Sequence, residues 1–103
     1  MSKEIRIPFN AWSRERLRTH GKCATSRTKK YGEPGDWFEV DGMRFKLWAT
    51  TTQPLKDVRD HHWRDEGCES PREFEVVWKS IHPRAGFKHD KVVWLHEFEQ
   101  VKP

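Results

Sequence analysis

The run Trp37-Phe38-Glu39-Val40-Asp41-Gly42-Met43-Arg44-Phe45-Lys46-Leu47-Trp48 commits the middle of the chain to a β-hairpin. Asp-Gly between two strand-like runs tolerates the positive φ angles of a two-residue type I′ turn. The second arm can continue through Ala49 to Thr52. A sheet therefore lies at the centre of the fold, and the other elements are arranged around it.

Upstream, Ile5 and Ile7 alternate with charged residues before Pro8, which predicts a short first strand. Asn10 suits the N-cap of a helix over Ala11 to Thr19, and Gly21 suits the residue just past its end. Cys23 to Thr28 reads as a strand. Downstream, Pro54 opens a helix with Leu55, Val58 and His62 on one stripe, ended by Gly67. Ser70-Pro71-Arg72-Glu73 reads as an N-cap, a first-turn proline and a capping-box glutamate. Phe74, Val77, Trp78 and Ile81 follow at helical spacing and form a core-facing stripe. Val92 to Glu99 alternates as a final strand, with Trp94 and Phe98 on one face. Strands at the ends and helices between them give an α+β class with a curled or barrel-like sheet.

Mean hydropathy is −1.03, a value compatible with disorder. The aromatics argue otherwise, because six Trp, six Phe and one Tyr are spread along all 103 residues. Each can bury on the order of 150–250 Å². The length fits one domain over residues 1–103. No apolar run approaches the roughly 20 residues of a membrane span, and Met1 to Phe9 lacks the apolar centre of a signal peptide. Two cysteines, Cys23 and Cys68, are too few for a disulfide scaffold, so a reducing cytoplasm is expected.

The net charge of +4 is concentrated in one segment. Arg14 to Lys30 holds Arg14, Arg16, Arg18, Lys22, Arg27, Lys29 and Lys30 against Glu15 alone, a local +6. The remainder has thirteen bases and fifteen acids, net −2. Such a stripe is either a solvated helix face or a contact for a polyanion such as RNA. Within it, Gly21-Lys22-Cys23-Ala24-Thr25-Ser26-Arg27 gathers a cation, a hydroxyl and a guanidinium. In a regular strand Lys22 and Thr25 face opposite sides. They converge only if Lys22 sits in the turn after the helix. A desolvated lysine can then act as base and activate the Thr25 hydroxyl, while Arg27 holds a phosphate or a base edge.

The order of these motifs resembles the ASCH domain family: a basic helix, Gly-Lys-x-x-Thr-x-Arg, Pro34-Gly35-Asp36, a short hairpin, Glu-Gly, and a helix opened by Ser-Pro-x-Glu-Phe. The resemblance spans about Ser13 to Val101. It implies a PUA-like fold, a small mixed β-barrel with about three helices, and an association with RNA. Small single-domain bacterial members of that family include an amidohydrolase acting on N4-acetylcytidine. Its lysine, its threonine three residues on and its glutamate opening a later helix look like Lys22, Thr25 and Glu73. Arg27 matches the arginine that follows the threonine. Here Gly21 directly precedes Lys22, and Cys23 stands where the family often has threonine.

Three readings result. One is a module that binds RNA or a modified nucleoside, with Arg14, Arg18, Lys22, Arg27, Lys29 and Lys30 as the nucleic-acid contacts. Another is an amidohydrolase using Lys22, Thr25 and Glu73. The third is a protein-interaction domain. Trp12, Trp63 and Tyr31 lie off the regular stripes and are candidates to stack on a base, whereas Trp78 and Trp94 read as core. The six histidines show no His-Glu-x-x-His spacing and there is no Cys-x-x-Cys, so neither a metal nor another cofactor is expected.

Overall fold

The Asp41-Gly42 turn forms as its residues dictate, with Asp41 at φ +50° and Gly42 at +82°. These angles come from a computed structural model, which describes residues 2–102. The turn joins β2 (Trp37–Val40) to β3 (Met43–Pro54). Before them lie α1 (Ala11–Thr19) and β1 (Ala24–Arg27); after them come α2 (Leu55–His61), α3 (Pro71–Ile81) and β4 (Val92–Val101). The four strands make one sheet in the order β1-β4-β3-β2, with every neighbouring pair antiparallel. The class is α+β, as expected, with three helices against the sheet.

The helix starts follow their caps. Asn10 accepts from the Ser13 amide at 2.8 Å, and Ser70 accepts from the Glu73 amide at 3.1 Å with Pro71 in the first turn. The expected first strand is reduced to one parallel bridge, Glu4 with Trp37. Pro8 offers no amide to extend it, yet Ile5 and Ile7 are still buried. Helix α2 stops at His61, short of Gly67, and residues 62–68 continue as turns closed by Glu66 N to His62 O and Cys68 N to Trp63 O, both 3.0 Å.

The register changes once. Leu47 pairs with Phe98 and Ala49 with Glu97, which leaves Trp48 as a bulge residue, 57% exposed. A bulge bends its strand and deepens the local twist. Strand β4 is then covered on both faces, and the consecutive Leu95 and His96 are both fully buried. Phe38, Phe45, Leu47 and Phe98 form one core with Ile5, Ile7 and Leu17. Leu55, Val58, Phe74, Trp78, Val93 and Leu95 form a second core beneath α2 and α3. Trp94 belongs to neither and is half-buried, with the Lys30 ammonium 5.2 Å from its ring centre. Ile81, at the end of the α3 stripe, is also exposed. Both cysteines are free thiols. Among the described residues, no helix is long and apolar enough to cross a membrane.

Candidate active site

Lys22 lies between α1 and β1, after Gly21 at φ +60°, and its amide closes back onto Arg16 O at 3.1 Å. This placement lets Lys22 and Thr25 line one cavity instead of facing opposite sides of a strand. The Lys22 side chain is 2% exposed, and its ammonium donates to Glu66 O at 2.8 Å and Glu66 Oε1 at 3.2 Å. Ser26 donates to the other carboxylate oxygen, Oε2, at 2.5 Å. Glu66 is thus held on both oxygens and is itself 6% exposed. Buried charges are kept paired, and this pair lies in the wall of a cavity.

Gly67 makes this approach possible. It sits at φ +89°, and a Cβ there would come within 2.9 Å of Arg16 Cβ and 3.1 Å of Lys22 Cβ. A side chain at position 67 would therefore be strained in backbone angle and would push Lys22 away from Glu66. Arg16 braces the same turn from α1. It donates to Gly67 O at 3.0 Å, approaches both Glu73 oxygens at 3.4 Å, and lies over the Trp12 ring at 4.8 Å.

The cavity has a volume of about 490 Å³. Lys22, Thr25, Ser26, Arg27 and Glu66 supply its polar side, while Phe9, Trp12, Tyr31, Phe74 and Trp78 supply aromatic walls. Arg27 donates from Nε to Thr25 Oγ1 at 3.1 Å, and its guanidinium lies 5.0 Å from the Phe9 ring centre and 5.8 Å from that of Tyr31. No carboxylate pairs with it among the described residues, and burial pulls its pKa below the usual arginine value. A desolvated guanidinium with open donors suits an anionic or carbonyl group on a ligand.

His96, fully buried, fixes the frame behind these groups. Its Nε2 accepts from the Tyr31 amide at 3.0 Å, and Nδ1 lies 3.2 Å from Thr25 O, the geometry of a neutral ring protonated on Nδ1. Burial pushes its pKa below the ordinary 6.5. The stability contributed by neutral His96 is therefore complete above about 6.5 and falls as pH drops below it. Unfolding followed across pH should show that decline, and His96→Gln should flatten it. An unchanged pH profile in His96→Gln would remove His96 from this role.

The structure separates other residues that the sequence grouped together. Glu73 does not line the cavity. Its carboxylate accepts from the Glu69 amide at 2.8 Å and faces Arg16, so the carboxylate beside Lys22 belongs to Glu66. The basic run also divides. Arg14 and Arg18 close on Asp41 at 3.6 and 3.2 Å, whereas Lys29 lies over Tyr31 and Lys30 pairs with Glu33. Asp41 adjoins the end of the sheet where Arg44 pairs with Val101, and Lys30 covers Trp94 near the other end. Those two positions on β4 are seven residues apart, roughly 23 Å of strand. Of the stacking candidates, Trp12 and Tyr31 line the cavity; Trp63 does not, and packs on the second core under Arg64. Trp78 is buried, as a core residue should be, and also faces the cavity.

The sequence matches no protein-family model and no curated protein. Solved structures do resemble this fold. The ASCH domain from Lactobacillus crispatus JV V101 superposes with a TM-score of 0.68 at 11% identity, over 96% of this chain and 79% of that one. A hypothetical protein gives 0.68 at 17% identity, over 98% and 100% of the two chains. A Pyrococcus furiosus protein solved in solution gives 0.61 at 15%, over 99% and 97%. The chain therefore has the ASCH-domain fold.

Proposed function

We propose that the cavity binds a single acylated nucleobase and hydrolyses its exocyclic amide, as in N4-acetylcytidine. The observation that carries this reading is the buried Lys22–Glu66 pair in the wall of a cavity that Thr25 also lines. Phosphate binding alone calls for accessible cations. Here the lysine is enclosed and turned onto a carboxylate, and Arg14 and Arg18 are engaged by Asp41.

The chemistry follows from these positions. Proton transfer from the Lys22 ammonium to Glu66 leaves a neutral amine able to accept the Thr25 hydroxyl proton. Thr25 Oγ1 attacks the acyl carbon, and the exocyclic C–N bond breaks as the leaving nitrogen takes a proton back. Water then cleaves the acyl ester, releasing the carboxylic acid and restoring Thr25. The Arg27 Nε–H bond to Thr25 Oγ1 fixes the direction of that oxygen for attack. Aromatic walls suit a flat heterocycle.

Thr25→Ala should abolish release of cytidine from N4-acetylcytidine and leave the fold intact. Thr25→Ser, which keeps the hydroxyl, should retain part of the rate. Equal turnover in wild type and Thr25→Ala would exclude Thr25 as nucleophile. A second reading, a base presented within an RNA strand, is favoured by Lys29 and Lys30 beside Tyr31 and Trp94. It is tested by whether Lys29→Ala with Lys30→Ala weakens RNA binding but leaves turnover of the free nucleoside unchanged.

A further inference from the structure

Three ligand-type side chains outside the cavity meet from separate places. His62 follows α2, Asp65 lies in the succeeding turn, and Glu97 is on β4. One ligand atom from each lies within 4.8 Å of the others, with His62 Nδ1 3.9 Å from Asp65 Oδ2. Ligands on a tetrahedral ion with bonds of about 2.1 Å stand roughly 3.4 Å apart. The cluster therefore needs only a small contraction to close on an ion.

Its electrostatics are unbalanced as it stands. His62 Nδ1 is a buried atom with no hydrogen-bond partner. No lysine or arginine pairs with Asp65 or Glu97 among the described residues. The frame is rigid as well, since Asp65 O accepts from Cys23 N at 2.7 Å and Ala24 N at 2.9 Å, and Glu97 is paired with Ala24 across the sheet. The site is reachable, because the His62 and Asp65 side chains are 25% and 44% exposed.

We infer that His62 Nδ1, Asp65 and Glu97 form a binding site for a divalent transition-metal ion of the Zn²⁺ class, with water completing the coordination. One imidazole and two carboxylates suit Zn²⁺ better than Mg²⁺, which favours oxygen ligands alone. The ion neutralises both carboxylates. It also ties the turn preceding Gly67 to β4, and so braces Glu66, the next residue, from outside the cavity.

The test is equilibrium dialysis of the chelator-stripped full chain against ZnCl₂, with metal counted per chain, alongside thermal melting with ZnCl₂ or MgCl₂. One Zn²⁺ per chain and a raised melting temperature are expected, with no shift from MgCl₂ at the same concentration. His62→Ala and Glu97→Gln should each weaken Zn²⁺ binding at least about tenfold, while His61→Ala, at the exposed neighbouring histidine, should bind as wild type. Glu97→Gln preserves side-chain shape, so its circular dichroism should match wild type and the binding loss can be read without unfolding. No Zn²⁺ binding by wild type, undiminished binding in His62→Ala, loss of binding in His61→Ala, or equal stabilisation by MgCl₂ would each overturn the assignment.

Discussion

Glu66→Gln should lower turnover of an acylated nucleoside by on the order of 10²–10⁴-fold, the range for losing a proton-transfer group. The amide keeps the shape of Glu66 and can still accept from Ser26, but it cannot take a proton from Lys22. Glu73→Gln should leave turnover at the wild-type level, because that carboxylate faces Arg16 and the Glu69 amide outside the cavity. Its effect should instead appear as a lower melting temperature. Glu66→Gln also leaves Lys22 without its anion, and removing one partner of a buried pair costs about 3–5 kcal/mol. Both variants are therefore assayed below their own melting temperatures, with circular dichroism confirming the fold. Loss of turnover in Glu73→Gln with retention in Glu66→Gln would return the role to Glu73.

Phe98→Ala should be the most destabilising single truncation in the sheet. Phe98 is 1% exposed and meets Phe38, Phe45 and Phe9 with ring centres 5.1, 5.3 and 6.5 Å away. Truncating a buried phenylalanine costs about 3–5 kcal/mol, a large share of the roughly 5–15 kcal/mol that holds a domain folded. Trp48→Ala removes a larger side chain, but from an exposed bulge, and should cost within about 0.5 kcal/mol. Urea midpoints of the two variants provide the check. Equal shifts would contradict the placement of the core.

Local chemistry made much of this fold legible in advance. Asp41-Gly42 set the hairpin, Asn10 and Ser70 set two helix starts, and Gly21 placed Lys22 in a turn where it could join Thr25. The bulge at Trp48 was not legible, because an unpaired residue within an apolar run leaves no mark of its own. Glu66 was missed for a related reason. Glu73 carries a helix-start signature, whereas Glu66 sits in a turn and meets Lys22 across 44 residues. The one hint was the glycine after it, whose positive φ and lack of a side chain admit Lys22 and Arg16. Asp41, read only as a turn residue, also pairs with Arg14 and Arg18, so a basic run in sequence becomes two separate clusters in space. His62, Asp65 and Glu97 have no motif spacing at all; β4 pairing brings them together.

Hydrolysis by Lys22, Glu66 and Thr25 of an acylated base held against aromatic walls, as proposed above, has a direct chemical readout. The most direct measurement is chromatographic detection of cytidine and acetate after incubating the purified protein with N4-acetylcytidine. Many equivalents of both products per protein chain are expected, in equal amounts, and none with Thr25→Ala. Substrate recovered unchanged from wild-type protein that demonstrably binds it would contradict hydrolysis and leave the cavity as a nucleoside-binding site.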